Sequence, residues 1–483
     1  MDQNSSAGVK TSPVLYQIGT LSYTKTALIL LFVWMLWGDF CFWMMEALTP
    51  TLLPLMLKNH NASNLTIGLL VGSLPSLLNF IINPIVSTSS DRTRSRWGRR
   101  IPYLLFSSPF VVLFLILLGW SDRIGLWFHH LAFGPGGSPA KTIIVVIAVF
   151  AIAYQVFNLF IASVFYYLFA DVVPTQFLGR FMALFRVAGT CAGFVFNLLV
   201  LPHADTHLPW IFTIVALLYL VSFLLMCLHV KEGEYPPPEP VKNRSPFGFV
   251  SVYVRECFSI PFFLVYFLVM ALNNASTVCR SMFNLLFATR ELHISLDQYG
   301  FIIAVGSGIT IPLFYFVGLL VDKIHPIRVY MIGSVLIICM NIFGFFWVHS
   351  YATFSVVAIA LAFVYMLQIA STLPLNMRLV PRDKYGQFSS AMAMVSAITL
   401  VLANAGGGWF IDRLGYQYIY VWDFLFTSVG FVLLLWVYGK WKRLGGDRNY
   451  VPPERNPDGI GAESERNRRI RIEKTALPQY CTG

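Results

Sequence analysis

Apolar runs of about 20 residues recur along nearly the whole chain, and that is the length at which an α-helix spans roughly 30 Å of hydrocarbon. Twelve such runs are readable, near 26–57, 65–88, 102–119, 141–169, 181–202, 209–229, 259–288, 298–320, 328–348, 353–377, 386–411 and 416–439. Inside lipid, each backbone N–H and C=O must find its partner within the protein, which a helix does segment by segment. Composition agrees: 57% of residues are hydrophobic and 12% charged, where a soluble domain carries roughly 25% charged. The chain therefore reads as an all-α, polytopic membrane protein with twelve transmembrane helices.

A formal net charge of +11 would suit a nucleic-acid partner if it were gathered on one surface. Here the lysines and arginines fall instead in alternate loops, on the side that an inside amino terminus makes cytoplasmic. The positive-inside rule then places both termini in the cytoplasm of a plasma (inner) membrane, and no nucleic-acid partner is expected. The leading residues are polar, and the first apolar run is too long to be the core of a signal peptide. Seven cysteines show no CxxC or metal spacing and read as free thiols in packed helices. HExxH, Walker and GxSxG patterns are absent, so neither an enzyme nor a cofactor nor a metal site is expected.

The runs divide into a lead at 1–25, a six-helix bundle at 26–230, a linker at 231–258, a second six-helix bundle at 259–441 and a tail at 442–483. Pro236-Pro237-Pro238 and mixed charges make the linker a semi-stiff solvated connector. The tail, rich in Arg, Glu, Pro and Gly, is expected to be disordered. An internal repeat relates the bundles. Val173-Pro174-Thr175-Gln176-Phe177-Leu178-Gly179-Arg180-Phe181 follows the fourth run, and Val380-Pro381-Arg382-Asp383-Lys384-Tyr385-Gly386-Gln387-Phe388 follows the tenth with the same V-P-x4-G-x-F spacing. Asp322-Lys323 after the eighth run echoes Asp91-Arg92 after the second. Parallel six-helix repeats of this kind describe a transporter with its site where the repeats meet.

The most distinctive stretch is Asp91-Arg92-Thr93-Arg94-Ser95-Arg96-Trp97-Gly98-Arg99-Arg100-Ile101-Pro102, between the second and third runs. So many arginines cannot enter hydrocarbon, and Gly98 and Pro102 suit a sharp turn into a new helix. The loop is either a plain cytoplasmic turn or a gating latch, with Asp91, Arg92, Arg96, Gly98, Arg99 and Arg100 as its working residues. Asp171, Gly179 and Arg180, after the fourth run, belong to the same gating set, with Asp91, Asp171 or equivalent groups of the second bundle as partners for the arginines.

On this loop, with support from Asp171–Phe181 and the order of helices, the chain resembles the major facilitator superfamily. Within that, it is similar to the glycoside–pentoside–hexuronide:cation symporters, which include the melibiose carrier and relate to plant sucrose/proton carriers. The resemblance implies two six-helix pseudo-repeats, a sugar as small-molecule substrate, a proton or other monovalent cation as co-substrate, and a carrier that works as a monomer. It places the helix-one sugar aspartate at Asp39 and the helix-five arginine at Arg186. The helix-four sugar aspartate falls on Asn158, and the helix-two cation-binding aspartates fall on Asn79 and Asn83. These three asparagines depart from the family pattern, and neither helix-two position carries the charge that favours sodium.

The residues alone point to an overlapping set. A charge at the bilayer centre costs roughly 2.5–3.5 kcal/mol even on the lenient insertion scale, so ionisable groups inside apolar runs mark sites. Asp39, Glu46 and Asp423 qualify among the acids, Arg186 and Arg280 among the bases. Asp39 and Glu46 share one helix face about 10 Å apart, with Trp43 between them. Either acid is a candidate proton carrier, and the indole offers a stacking surface for a sugar; a structural ion pair is the alternative. Arg186 offers a planar donor fork, or an inter-helix brace. Asn273, Thr277, Arg280 and Asn284 form a polar stripe at helical spacing, while Gln368, Thr372 and Asn404 read as cavity residues or as helix-to-helix hydrogen bonds. Asp423 reads as a rim residue or an ion-pair partner. The expectation is a proton-coupled sugar or glycoside carrier working by alternating access. An uncoupled facilitator, a carrier of another solute such as a lysolipid or nucleoside, and a non-transporting membrane sensor stand as alternatives.

Overall fold

A computed structural model of the chain describes residues 16–134, 136–235, 257–381 and 384–453. Most of the expected linker and of the expected tail, together with the start of the lead, lie outside the described residues. A short antiparallel ribbon comes first, β1 (Tyr16–Ile18) against β2 (Leu21–Tyr23). The Thr24 hydroxyl then accepts the Ala27 N–H at 3.3 Å and starts α1 (Lys25–Glu46). This is a side-chain cap on an otherwise unpaired backbone donor. The chain continues through α2 (Leu48–Asn59), α3 (Leu74–Arg92), α4 (Ile101–Gly119), α5 (Ser121–Phe133), α6 (Ala140–Val172), α7 (Thr175–Val195) and α8 (Ala204–His229). Beyond residue 256 follow α9 (Pro261–Ser276), α10 (Val278–Leu286), α11 (Leu296–Ile324), α12 (Pro326–Trp347), α13 (Tyr351–Leu379), α14 (Tyr385–Leu414) and α15 (Ile419–Arg443).

Among the described residues, 11 helical stretches are long and apolar enough to cross a membrane. One of them, Arg180–His229, has 50 residues, about 75 Å at 1.5 Å per residue and so enough for two crossings. It bends where π-helical Phe196–Val200, the Leu201–His203 turn and non-helical His207 interrupt α-helical geometry. Counted so, the described residues make twelve crossings.

Two compact units share these helices: unit 1 is Met1–Glu239 with Leu285–Ile311, and unit 2 is Pro240–Asn284 with Pro312–Gly483. Residues 285–311 thus group with unit 1, the division falling inside α10 and, at Pro312, inside α11. Proline supplies no N–H to the helix ladder, and α11 changes allegiance at that point. Within unit 1, α1 packs on α7 and α8, and α4 packs on α6 and α8. Within unit 2, α9 packs on α14 and α15, and α12 packs on α13 and α15. The second set repeats the first helix for helix, counted along each half, which is the signature of a duplicated six-helix bundle.

Each unit has its own aromatic core. In unit 1, Phe165 lies 4.7 Å from Phe169 and 5.1 Å from Phe223, and Phe169 lies 5.2 Å from Phe181. In unit 2, Phe263 meets Phe388 edge-on at 4.7 Å beside fully buried Trp441. Ile29, Leu30 and Val33 are more than half exposed on α1, as befits a surface facing lipid chains.

Two features make direct predictions. A Cβ on Gly300 of α11 would stand 2.1 Å from the Asn197 carbonyl oxygen, so the backbones meet with no room for a side chain. Gly300→Val should therefore lower the melting temperature in detergent, in line with an overpacking penalty of about 1–3 kcal/mol; an unchanged melt would refute the contact. His325 turns the chain between α11 and α12 at φ +75°, and its Nδ1 accepts the Ile327 N–H at 3.3 Å. Burial, and then the Arg378 charge, push its pKa down from 6.5 to about 4. The ring is neutral in folded and unfolded chains above about pH 6.5, so nothing is lost there. Between about 6.5 and 4 the unfolded chain binds a proton that the folded one refuses, and stability falls as pH falls. Melting curves across that window should show the loss, and His325→Asn should flatten it.

Candidate functional site

The arginine loop is built as a clasp inside unit 1. Gly98 adopts φ +103°, a conformation that only glycine takes without strain. The Ser95 hydroxyl closes the turn by donating to the Gly98 carbonyl at 2.6 Å. Arg99 and Arg100 then reach the same carboxylate, Asp171 at the end of α6. Arg99 donates from Nε at 3.0 Å and from Nη2 at 2.5 Å, and Arg100 from Nε at 3.1 Å. Arg100 also donates to Asp91 at 2.5 Å and to the Ser90 hydroxyl, which ties the loop back to α3. Burial opposes the Arg99 charge, yet Asp171 outweighs it and holds the guanidinium pKa above its ordinary value.

Glu232, just past α8, completes the clasp. Its carboxylate accepts three successive backbone N–H groups, Arg99 at 2.9 Å, Arg100 at 2.8 Å and Ile101 at 2.7 Å. These are orphan donors at the start of α4, where the helix dipole also favours a negative charge. The Tyr235 ring covers the Arg99 guanidinium at 4.1 Å. Arg92, Arg96 and Arg180 are exposed; Gly179 sits in α7, but its surroundings lie outside the described residues.

The membrane interior of unit 1 brings together Asp39, Trp43, Glu46, Asn158 and Arg186. Asp39 on α1 is fully buried, and neither of its carboxylate oxygens has a hydrogen-bond partner. The groups facing it are the Trp43 indole, one turn on, and the Arg186 guanidinium from α7, itself exposed. Trp43 packs on α7 so closely that a Cβ on Gly189 would lie 2.9 Å from the indole nitrogen, which has no partner of its own. On the next turns of the same helix face, Glu46 accepts a hydrogen bond from the Asn158 amide of α6, whose Oδ1 is buried and unpaired. On α3, Asn79 is exposed, and Asn83 is half-buried with an unpaired Oδ1. Buried polar atoms in folded proteins are nearly always paired. Four unpaired ones on Asp39, Trp43 and Asn158 are hydrogen-bonding capacity that packing leaves unused.

Unit 2 contains the other interior charges. Arg280 of α10 donates to Asp423 of α15 at 3.3 and 3.4 Å and to Asn341 of α12 at 2.6 Å. Asp423 is fully buried and also accepts from the Tyr365 hydroxyl and, at 3.1 Å, from Thr427. Gln368 is separate from this group: its amide donates to the Ser334 hydroxyl at 2.8 Å, bridging α13 and α12. Among the described residues no group of three or more His, Cys, Asp or Glu could hold a metal ion.

Sequence reasoning missed Glu232, Gly189, Asn341 and Tyr365. Glu232 stands outside every apolar run, and a tyrosine or glycine within one is too common to stand out. Only a charge directly after the sixth run, able to reach the second-to-third loop, hinted at Glu232. Removing Asp171 or Glu232 from the clasp should have unequal effects. Asp171→Ala strips both arginines of a partly buried partner and should destabilise by about 3–5 kcal/mol. Glu232→Ala removes a cap and should cost about 1–2 kcal/mol. Denaturation of the purified variants in one detergent checks the order; equal effects would contradict it.

A family model described as MFS/sugar transport protein matches residues 34–385. The human membrane-associated transporter protein is 40% identical over 68 residues, 14% of this chain and 12% of that protein. Its mouse counterpart is 33% identical over 87 residues, 18% of this chain and 15% of that protein. The chain thus spans less than a sixth of the length of these curated relatives where it matches them. Among solved structures, the nucleoside transporter NupG superposes with a TM-score of 0.57 at 13% identity, covering 86% of this chain and 99% of that one. A bacterial homologue of the human lysosomal transporter Spinster gives 0.59 at 13% identity, covering 87% and 99%. A POT family transporter in complex with a thioalcohol-conjugated peptide gives 0.61 at 12%, covering 87% and 97%. At such identities the likeness is one of fold. With a family model matching most of its length and the helix order of a duplicated six-helix bundle, the chain belongs to the MFS/sugar transport protein family of major facilitator membrane transporters.

Proposed function

We propose that the protein is a secondary active transporter that moves a sugar or glycoside by alternating access, coupled to protons, in the manner of the glycoside–pentoside–hexuronide:cation symporters. The observation that carries this is the unit 1 interior, where a fully buried carboxylate, Asp39, has no hydrogen-bond partner while an indole and a guanidinium face it. A carboxylate so placed has two ways to be accommodated, a proton or a ring of hydroxyl donors. A proton-coupled sugar carrier uses both. Trp43, packed against Gly189, offers an indole ring for the C–H side of a sugar, and Arg186 offers donors to hydroxyl oxygens. Glu46, held by Asn158, is the second acid able to exchange a proton. Asn79 and Asn83 bring no charge to α3, which favours the proton over sodium. The arginine clasp lies on the cytoplasmic side of a plasma-membrane protein with both termini inside, and it steadies the gate there.

Proton binding shifts a carrier between states only when its affinity differs between them. Tryptophan emission of the purified protein, titrated with sucrose, maltose, melibiose and, as a contrast, uridine, tests the substrate class. A saturable response to a sugar is expected; a response to uridine alone would overturn the sugar assignment. In proteoliposomes, Asp39→Asn should reduce proton-driven sucrose uptake by at least about tenfold while sucrose counterflow persists. Uptake that still follows the proton gradient in that variant would remove Asp39 from coupling.

A further inference from the structure

The interior of unit 2 contains a second built group, and it differs from that of unit 1 in one respect: its carboxylate is saturated. Asp423 cannot itself touch a solute, because it has no exposed surface. Its two oxygens take up Arg280 Nε and Nη2, the Tyr365 hydroxyl and the Thr427 hydroxyl. Asn341, also fully buried, takes a further Nη2 proton at 2.6 Å while its own amide is spent on the Ile337 carbonyl at 2.9 Å. The Tyr420 ring lies 4.9 Å from the guanidinium carbon and covers one flat face. Of the ionic pair, Arg280 alone reaches the surface, its side chain 14% exposed against 0% for Asp423.

We propose that Asp423, Asn341 and Tyr365 are positioning residues that hold the Arg280 guanidinium in one orientation, so that its Nη1 edge donates to an uncharged hydroxyl of the transported solute. The inference rests on the carrier reading above, and it adds which side chains set the direction of the donor. A free arginine has rotamer entropy to lose on binding, and the planar fork loses less of it per bond when held in advance. Here α10, α12, α13 and α15 have already removed it, as in any preorganised site. The Asp423 charge cancels that of Arg280, so the fork presents directional N–H donors with little net charge. That combination selects a neutral polyhydroxylated solute and disfavours an organic anion, which an unpaired arginine would attract.

Two measurements decide the matter, and one of them needs no sugar. Purified protein treated with phenylglyoxal and read by peptide mass spectrometry should show Arg280 modified more slowly than exposed Arg96. The Arg280 rate should rise several-fold in Tyr365→Phe and Asn341→Ala, where the fork is loosened. No modification of Arg280 in any of these proteins would overturn the proposal, whether or not a sugar is transported. In proteoliposomes, Tyr365→Phe and Asn341→Ala should each raise the KM for sucrose about tenfold with kcat within about twofold, and Asn341→Asp should restore part of the loss. A lower melting temperature with KM unchanged would make the group a structural brace and overturn it. If unaltered protein transports no sucrose, the sugar assignment fails instead, and the labelling rates alone judge the positioning role.

Discussion

A charge inside hydrocarbon has to be met by an opposite charge or a full set of hydrogen-bond donors, and the polar architecture of this molecule follows from that requirement. Arg280 meets Asp423 deep in unit 2, where Tyr365 and Thr427 fill the rest of the carboxylate and Asn341 takes a further guanidinium proton. At the edge of unit 1, Arg99 and Arg100 share Asp171 and receive Glu232 on their backbone. Removing one member of such a group leaves a stranded charge, which is more damaging than never having had the pair. Asp39 departs from the pattern, since its carboxylate is buried without a bonded partner. A folded protein retains such a group only where some other need outweighs its burial.

The two units solve the same packing problem with the same contacts. First helix against fifth and sixth, third against fourth and sixth: that scheme holds in both halves with different side chains at the contacts. Phe165, Phe169 and Phe223 fill one core, and Phe263, Phe388 and Trp441 the other. The duplication therefore survives in the geometry of helix pairs more fully than in residue identities, where the V-P-x4-G-x-F loop and an acid–base pair are its clearest traces.

The fold was legible because bilayer thickness imposes a length that shows directly in the sequence, whatever the side chains are. Where that rule is silent, boundaries blur. The fifth and sixth crossings read as separate runs at 181–202 and 209–229. They are joined by the Leu201–His203 turn and a kink at non-helical His207 rather than by an open loop, so their exact ends do not show in the sequence. Interior charges were legible for the same reason as the spans: Asp39, Arg186, Arg280 and Asp423 violate an apolar background. Their neighbours were not. Nothing in the sequence marks Gly189 as the seat of the Trp43 ring, or Tyr365 among so many tyrosines as the donor to Asp423. Those assignments depend on which helix faces meet, and periodicity within one helix does not reveal them. Gln368, another polar side chain in an apolar run, has an amide that bridges α13 to α12, a contact equally invisible in the sequence.

Glu232 has a wider implication. It lies beyond the last helix of the first bundle, yet it caps the third crossing, and Tyr235 just after it shields Arg99. The first bundle consequently borrows its finishing pieces from the connector that follows. Co-expressed half-molecules separated immediately after α8 would leave one partner with a frayed helix entrance and a bared arginine. A division made downstream of Tyr235 would preserve both, and the natural seam for splitting this carrier is therefore several residues later than its hydrophobic profile suggests.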